Sequence, residues 1–260
     1  MPREGVALVT GAGRRIGAHL ARTLAKRGYA VGLHHRTSAA EAEAVADEIA
    51  RSGGRAATLQ ADLNDPAQLE ELLAAAHAAL GPVTVLVNNA ALFEHDRAID
   101  LSLEQWDRQL ATNLRAPVVL ARQLARLLPA DATGLVVNLL DQRIAAPTKG
   151  YFSYTLSKLA LAAATELLAA GLAPRVRVNG IAPGLTLISG AQSQADFERL
   201  VDRTPLGQGS SPDAIAQALI YLLDADVVTG QILFVDGGRR LVGRVPDNPA
   251  MAGEAPRPAE

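Results

Sequence analysis

The chain has 260 residues, 49% hydrophobic and 20% charged, which fits one large α/β domain or two small ones. Its net charge of -2 gives no electrostatic basis for binding nucleic acid or an anionic membrane. There is no cysteine, which excludes disulfides and thiolate sites, and the five histidines lack metal-ligand spacing, so no metal site is predicted. No apolar run approaches the ~20 residues of a membrane span. With no signal peptide at its start, the chain is expected to be a soluble cytoplasmic protein.

The first predicted elements are a strand, a glycine-rich loop and a helix. The apolar run Gly5–Val9 leads into the loop at residues 10–17, and a helical pattern then ends near Gly28. This order is typical of a nucleotide site, because glycine lets the backbone approach a pyrophosphate and the helix N-terminus offers free N–H groups. A tight turn without a ligand is the alternative.

The second predicted strand, Tyr29–His35, is followed by Arg36, Thr37 and Ser38. A protein that binds NAD would place Asp or Glu here, to hold the ribose hydroxyls. Imidazole, guanidinium and hydroxyl groups stand there instead, and Arg15 adds a cation from the glycine loop. Because Arg can bind a 2′-phosphate in bidentate fashion, the sequence predicts NADP(H) as the cofactor. A basic loop that faces water is the alternative.

Strands and helices alternate along the rest of the chain. Helices are predicted at residues 39–51, 65–80, 103–128, 151–171 and 213–223, and strands at 55–60, 83–87, 135–140, 176–181 and 232–235. Such alternation predicts an α/β fold, a doubly wound parallel sheet of about seven strands with helices on both faces. Residues 1–243 are predicted to form one domain and residues 244–260 a disordered tail. Pro117 is expected to break or kink its helix, and the weakly periodic residues 186–208 to form a mobile lid.

Polar residues follow the predicted strands at their carboxyl ends, where a parallel sheet binds its ligands. In chain order these are Asp62, Asn88-Asn89-Ala90, Asp141 and Pro183-Gly184. Asn113 lies inside the long fourth helix, where Asn is a poor helix former. The alternative is that Asn113 is a buried residue whose side chain forms hydrogen bonds with backbone groups. The sequence predicts that all these positions converge on one crevice.

Tyr154 and Lys158 lie four residues apart in a predicted helix and therefore share one face. The ammonium can stabilise the phenolate, so this Tyr could give a proton to a substrate at neutral pH. Arg supplies most of the positive charge of the chain, which has only Lys26, Lys149 and Lys158 as lysines. A Lys beside a Tyr therefore suggests that a compact ammonium is required. The alternative is that Tyr154 and Lys158 are two polar residues on the solvent-exposed face of a helix.

Together these motifs resemble the short-chain dehydrogenase/reductase family, from about Val6 to Gly243. The glycine loop, Asn88-Asn89-Ala90, Asn113, Tyr154 with Lys158, and Pro183-Gly184 all occur in the family order. The resemblance implies that Tyr154 is the general acid, that Lys158 binds the nicotinamide ribose, and that Asn113 supports a water relay to Lys158. It also implies a Rossmann-like sheet and a homotetramer.

Two departures from the family pattern narrow the prediction of the subgroup and of its substrate. Arg15 replaces the middle glycine of the loop, and Asp141 stands thirteen residues before Tyr154, where the family has Ser. A Ser hydroxyl donates to a developing alkoxide, whereas an ionised carboxylate cannot donate and suits a substrate that carries N–H groups. Both departures resemble the pteridine reductases and the bacterial dihydromonapterin reductases. In that pattern Phe93 would stack on a flat pterin, although a loop anchor in the core is the alternative.

The sequence therefore predicts an NADPH-dependent reductase of a pterin such as dihydrobiopterin, dihydromonapterin or dihydrofolate. The predicted catalytic residues are Asp141, Tyr154, Lys158 and Asn113, and the predicted substrate contacts are Arg15, Phe93, Asp141 and Tyr154. The predicted cofactor-binding residues are Gly11, Arg14, Arg15, Ile16, Gly17, His35, Arg36, Thr37, Ser38, Asp62, Leu63, Asn89, Ala90, Lys158, Pro183 and Gly184. The alternatives are a carbonyl reductase that acts on a ketone or 3-oxoacyl group, and an NADP-binding sensor without catalysis.

Overall fold

Seven parallel strands form one sheet in the computed structural model, which describes residues 5–188 and 193–242. The strands are β1 (Gly5–Val9), β2 (Tyr29–His35), β3 (Ala56–Gln60), β4 (Val83–Asn88), β5 (Gly134–Leu139), β6 (Val176–Pro183) and β7 (Ile232–Val235). Their order is β3-β2-β1-β4-β5-β6-β7, and every neighbouring pair is parallel. This sheet confirms the predicted α/β fold and its Rossmann-like topology.

Eight α-helices cover the two faces of the sheet within the described residues. They are α1 (Arg15–Lys26), α2 (Ala39–Arg51), α3 (Pro66–Leu80), α4 (Leu103–Leu110), α5 (Ala116–Leu127), α6 (Phe152–Leu172), α7 (Gln194–Asp202) and α8 (Pro212–Asp224). Successive side chains of β1 alternate between the faces, because a strand has a period of two residues. Ala7 and Val9 pack towards α1, α2 and α8, whereas Val6 and Leu8 pack towards α3 and α5.

The long fourth helix predicted at residues 103–128 is interrupted by a π-helical turn, Ala111–Arg115. Pro117 lies in the first turn of α5, immediately after this turn. A proline has no N–H to donate, and its ring crowds the carbonyl four residues earlier, which here belongs to Asn113. The widened turn accommodates that crowding and places Asn113 in an irregular part of the helix.

Residues 186–208, predicted to form a mobile lid because of their weak periodicity, contain the helix α7, and residues 189–192 lie outside the described residues. The lid itself remains a prediction. The Ser193 hydroxyl accepts a hydrogen bond from the Asp196 N–H at 3.1 Å, which caps the helix, and Leu200 is buried. Nine residues with one buried leucine give too weak a periodicity to be recognised in the sequence. The predicted tail at residues 244–260 lies outside the described residues.

Helix α6 is long and apolar enough to span a membrane by length and composition alone, with a mean hydropathy of 1.3. This differs from the expectation from the sequence, in which no apolar run approached the length of a membrane span. The helix packs against β6 and buries both Tyr154 and Lys158 in the protein, as the core helix of a globular domain does.

Candidate active site

The glycine loop between β1 and α1 has a backbone that needs glycine at two positions. Gly11 has φ of +65°, in the left-handed region that glycine adopts without strain. A Cβ on Gly17 would lie 2.1 Å from the Gly11 carbonyl oxygen, so the helix start packs directly on the loop. Arg15 also adopts a positive φ, +51°, which is uncommon for a residue with a side chain. At Arg15 the loop thus keeps the backbone conformation typical of glycine, although the glycine that the family has at this position is absent.

Asn89 and Ala90 join the end of β4 to this loop. The Thr10 hydroxyl oxygen accepts hydrogen bonds from the N–H groups of Asn89 and Ala90, both at 3.0 Å. The Asn89 amide donates in return to the carbonyls of Thr10 at 2.8 Å and Gly11 at 3.2 Å. These bonds bring two of the predicted cofactor-binding residues against the glycine loop.

The strand β2 ends at His35, where the sequence predicted its end, and the basic segment follows it. His34 and His35 are both buried, whereas Arg36 and Thr37 are exposed. Ser38 faces the loop, since a Cβ on Gly13 would lie 2.8 Å from its hydroxyl oxygen. The exposed groups that could meet a phosphate are therefore those of residues 36–38.

Four other predicted cofactor residues, Asp62, Leu63, Pro183 and Gly184, also lie at the carboxyl ends of strands. Asp62 accepts from the Asn64 N–H at 2.9 Å and so shapes the turn after β3, beside the buried Leu63. The Gly184 N–H donates to the Val235 carbonyl, and a Cβ on Gly184 would lie 2.7 Å from the Asp236 Cα. The chain after β6 therefore passes very close to the end of β7.

The two loop arginines make different contacts. The Arg14 guanidinium forms an ion pair with Glu41 of α2. The Arg15 guanidinium donates to the Ile188 carbonyl at 3.0 Å, on the side of the segment that follows β6. Their contacts with a 2′-phosphate remain predictions, and the position of Arg15 suits the substrate side of the site better.

Asp141 and Tyr154 meet directly. The Tyr154 hydroxyl donates to Asp141 Oδ2 at 2.9 Å, and Asp141 Oδ1 accepts from the Arg143 N–H at 2.8 Å. Tyr154 is buried and Asp141 is partly exposed. The carboxylate therefore accepts hydrogen bonds where the family Ser would donate one, so the site presents a base beside the predicted acid.

Lys158 is buried one turn further along α6. Its ammonium donates to the Leu139 carbonyl at 2.6 Å and lies 5.8 Å from the centre of the Tyr154 ring. Burial lowers the pKa of Lys158 from 10.5 to about 8, against the opposing attraction of Asp141. The cation that accompanies Tyr154 therefore loses its proton at a much lower pH than an exposed lysine does.

This pKa predicts a pH dependence of the reaction. The rate constant kcat/KM reports ionisations of the free enzyme, and the ammonium form of Lys158 is the one that stabilises a phenolate. We expect kcat/KM to fall as the pH rises through about 8, the pKa of the buried Lys158. In Lys158→Arg the cation persists, so this fall should disappear from the pH profile. An identical alkaline fall in both proteins would exclude Lys158 as its source.

Asn113 links the loop after β4 to α6. Its side-chain oxygen accepts from the Leu92 N–H at 2.8 Å, and its amide donates to the Leu92 carbonyl at 2.9 Å and the Ser157 hydroxyl at 3.1 Å. The fully buried Asn113 side chain thus serves a backbone group and a neighbouring hydroxyl. Its water relay to Lys158 remains a prediction.

An aromatic cluster lies beside the Tyr154 hydroxyl. Phe93 stacks on Tyr151 with ring centres 4.2 Å apart and planes 8° from parallel, and meets Tyr154 edge-on at 4.7 Å. Phe93 is 37% exposed, so it is not buried as a core anchor would be. Tyr151 has φ of +58° and precedes α6, where the sequence predicted the first helical residue. Because Tyr151 covers one face of the Phe93 ring, a flat substrate can stack only on the face that Tyr151 leaves uncovered.

Arg143 belongs to this site, although it was not predicted from the sequence. Its side chain is 7% exposed, and Nη1 lies 3.6 Å from Asp141 Oδ2. The guanidinium carbon lies 5.2 Å from the Phe93 ring centre and 4.9 Å from that of Tyr151. No periodicity or motif marks this position, because its contacts come from residues far apart in the chain. The buried cation keeps a positive charge next to Asp141.

Asp96 is a second residue that the sequence did not single out. This buried carboxylate accepts from the Ser153 N–H at 3.1 Å and from the Ser153 hydroxyl, and the Asp96 carbonyl accepts from the Phe152 N–H at 3.3 Å. The loop after β4 thereby holds the first turn of α6, one residue before Tyr154.

Removing this carboxylate should therefore destabilise the protein. In Asp96→Ala the buried Ser153 N–H and O–H lose their partner, which costs about 1–3 kcal/mol of unfolding free energy. Chemical denaturation would measure it. The matched control is Asp100→Ala, in the same loop, whose exposed carboxylate pairs with Arg97 on the surface and should change stability little. Equal losses in the two variants would show that the hydrogen bonds from Ser153 to Asp96 stabilise the fold no more than a surface ion pair does.

The residues around the loop fit a dinucleotide. The backbone at Gly11 and Gly17 leaves no room for side chains, and exposed Arg36 and Thr37 stand at the neighbouring strand end. No group of three His, Asp or Glu residues that could hold a metal ion occurs among residues 5–188 and 193–242. The described part of the site thus offers phosphate groups a backbone cradle and cations.

Comparisons with known proteins agree with this geometry. The family model described as enoyl-(acyl carrier protein) reductase matches residues 11–240. An uncharacterised oxidoreductase of Methylorubrum extorquens is 34% identical over 243 residues, which cover 90% of this chain and 97% of the relative. The 3-oxoacyl-[acyl-carrier-protein] reductase FabG of Staphylococcus epidermidis is 30% identical over 237 residues, with 89% and 97% covered.

Among solved structures, the alternative dihydrofolate reductase 1 FolM of Brucella canis, complexed with NADP, is similar to this chain. It is 43% identical with a TM-score of 0.90, and the match covers 94% of this chain and 96% of that one. Its sequence identity is higher than that of the two curated relatives above.

Proposed function

The chain belongs to the short-chain dehydrogenase/reductase family, and we propose that within it this protein is an NADPH-dependent reductase of a pterin. The observation that carries the proposal is the hydrogen bond from the Tyr154 hydroxyl to Asp141 at 2.9 Å. An ionised Asp141 can accept from the N–H groups of a pterin, but it cannot donate to the alkoxide of a reduced ketone. The likeness to FolM supports the same substrate class.

When bound, NADPH supplies the hydride that reduces the carbon of the C=N bond. Tyr154 gives its hydroxyl proton to the nitrogen, and the nearby Lys158 ammonium stabilises the phenolate that remains. Asp141 orients the Tyr154 hydroxyl and accepts from the substrate, and the Arg143 guanidinium lies 3.6 Å from its carboxylate. Phe93, partly exposed beside Tyr154, gives the flat ring an apolar surface.

Product analysis tests this proposal. Incubation with NADPH and dihydrobiopterin, dihydromonapterin or dihydrofolate should yield the tetrahydro product in equal amount to the NADP⁺ formed. The dihydropterin with NADPH, without protein, is the control for spontaneous oxidation or reduction. NADPH consumption without a tetrahydro product would show that the oxidant is something other than the pterin.

The likeness to FabG supports a second candidate, a carbonyl reductase of a 3-oxoacyl group. Asp141 is the residue that opposes it, since the acceptor carboxylate stands where a ketone needs a donor. An NADP-binding sensor without turnover is opposed by the Tyr154, Asp141 and Lys158 contacts described above. The homotetramer and the cytoplasmic location remain predictions from the resemblance and the composition.

The cofactor preference gives a separate prediction. Arg36 is exposed at the end of β2, where it can bind the 2′-phosphate. We expect Arg36→Ala to raise KM for NADPH about ten-fold or more, the effect of losing a charge-assisted hydrogen bond, and to leave KM for NADH nearly unchanged. The control is Arg51→Ala, an exposed arginine in the last turn of α2. If the NADPH preference of Arg36→Ala stayed as in the wild type, the phosphate would bind elsewhere.

A further inference from the structure

His34 is a buried residue that the proposed reaction does not use. It is 2% exposed at the end of β2, and both of its ring nitrogens are engaged. Nδ1 lies 3.1 Å from the Gly11 nitrogen and accepts its N–H, while Nε2 lies 3.1 Å from the Ala61 carbonyl oxygen. Since a carbonyl can only accept, Nε2 carries the proton. The two bonds together define one neutral tautomer.

This imidazole joins three strand ends. Gly11 begins the glycine loop after β1, His34 belongs to β2, and Ala61 follows β3. The His34 carbonyl also accepts from the Ala12 N–H at 2.8 Å, so the loop is attached to the same residue by side chain and by backbone. On its other side the Gly11 carbonyl accepts from the Asn89 amide at 3.2 Å. The Gly11 residue, with its positive φ, is thus held from both sides.

We propose that neutral His34 is a positioning residue for the cofactor, which fixes the Gly11 peptide and thereby the cradle in which a pyrophosphate binds. A protonated imidazole would present an N–H to the Gly11 N–H and break the bond that sets the loop. The proposal concerns NADPH binding and does not depend on the identity of the reduced substrate. The sequence pattern assigned the shaping of the pyrophosphate cradle to the glycines alone, and the proposal adds His34 to them.

The surroundings of His34 favour the neutral form. Burial lowers its pKa from 6.5 to about 4, the Ala61 carbonyl opposes this shift, and nearby His35 and Asp62 act in opposite directions. The Gly11–Ala12 peptides that face it from the loop carry no charge. As the pH falls from 6.5 to about 4, the unfolded chain takes up a proton here that the folded protein does not. Folding stability at this residue is therefore full above pH 6.5 and is lost through that window.

Two substitutions separate the two bonds. In His34→Asn the Oδ1 atom takes the place of Nδ1 and can accept from Gly11, whereas in His34→Gln the amide takes the place of Nε2 and leaves the Gly11 N–H without an acceptor. We expect NADPH to bind His34→Asn within about three-fold of the wild type, and His34→Gln and His34→Leu about ten-fold or more weakly. Titration of the purified protein with NADPH gives the dissociation constants directly. Equal affinities of the Asn and Gln variants would overturn the proposal.

A second measurement applies even where a variant binds poorly because its fold is weakened. We expect the Tm of the wild type to fall more between pH 7 and pH 5 than that of His34→Asn, which has no imidazole to protonate. All other titrating groups are common to both proteins, so the difference isolates His34. Parallel Tm profiles would show that His34 is not held neutral by the fold and would overturn the inference.

Discussion

Replacement of Tyr154 by Phe is expected to lower turnover of a dihydropterin by about 10²–10⁴-fold, the usual contribution of a general acid. The change removes one hydroxyl, which donates to Asp141 at 2.9 Å, and keeps the ring that meets Phe93 edge-on. Since the recorded hydrogen bond of this hydroxyl is to Asp141 and not to the glycine loop or the end of β2, NADPH should bind almost as tightly as before.

Kinetics and NADPH titration on the same preparation separate the two effects. Tyr221→Phe is the matched control, because it removes the hydroxyl of an exposed tyrosine on α8 and should leave both values unchanged. Parallel losses of turnover and of NADPH affinity in Tyr154→Phe would mean that Tyr154 supports the structure of the site and does not supply the proton.

Asp141→Ser is expected to change which substrate is reduced. The substitution replaces an acceptor by a hydroxyl that can donate to a developing alkoxide, a contribution of about 10²–10³ in rate. Ketone reduction should rise by a factor of this order, and dihydropterin reduction should fall, because the N–H groups of the pterin lose their acceptor. The Arg143 N–H, which donates to Asp141 at 2.8 Å, can still be met by a Ser oxygen.

Asp141→Asn distinguishes loss of charge from loss of shape. Its side chain has the same size and keeps one acceptor for Arg143, yet it is neutral. We expect it to lose dihydropterin turnover as Asp141→Ser does, with a smaller gain on ketones. Asp131→Ser, an exposed position in the loop before β5, serves as the control for a general effect of the substitution. Unchanged dihydropterin turnover in both Asp141 variants would remove the carboxylate from the mechanism.

The fold could be predicted from the sequence because its signals are local. Continuous apolar strands, helical periodicity and the glycine loop each occur within one short segment, so β1, α1 and β2 were placed to within a few residues. The same reasoning failed at α7, whose single buried residue, Leu200, gives almost no periodicity. It also could not specify the π-helical turn before Pro117, which depends on how the helix packs.

Parts of the candidate site that depend on contacts between distant segments could not be predicted. Asp96 accepts a hydrogen bond from Ser153, which lies 57 residues later in the chain. The Arg143 guanidinium lies over the rings of Phe93 and Tyr151, which belong to two different loops. His34 was predicted only as part of the second strand, and its contacts with the glycine loop and with Ala61 become visible only in the fold, which buries it. Burial of a polar side chain with its partners is a tertiary property that spacing does not encode.

The central claim is that the pair formed by Asp141 and Tyr154 reduces a pterin and not a simple ketone. The most direct test is kcat/KM for NADPH oxidation with three dihydropterins, beside a panel of ketones that includes a 3-oxoacyl thioester. Turnover on a dihydropterin, with ketone values at least about 10²-fold lower, is the result expected from an acceptor carboxylate at this position. Turnover on the ketones alone would contradict the account, because a base in place of the family Ser would then have no bearing on the substrate.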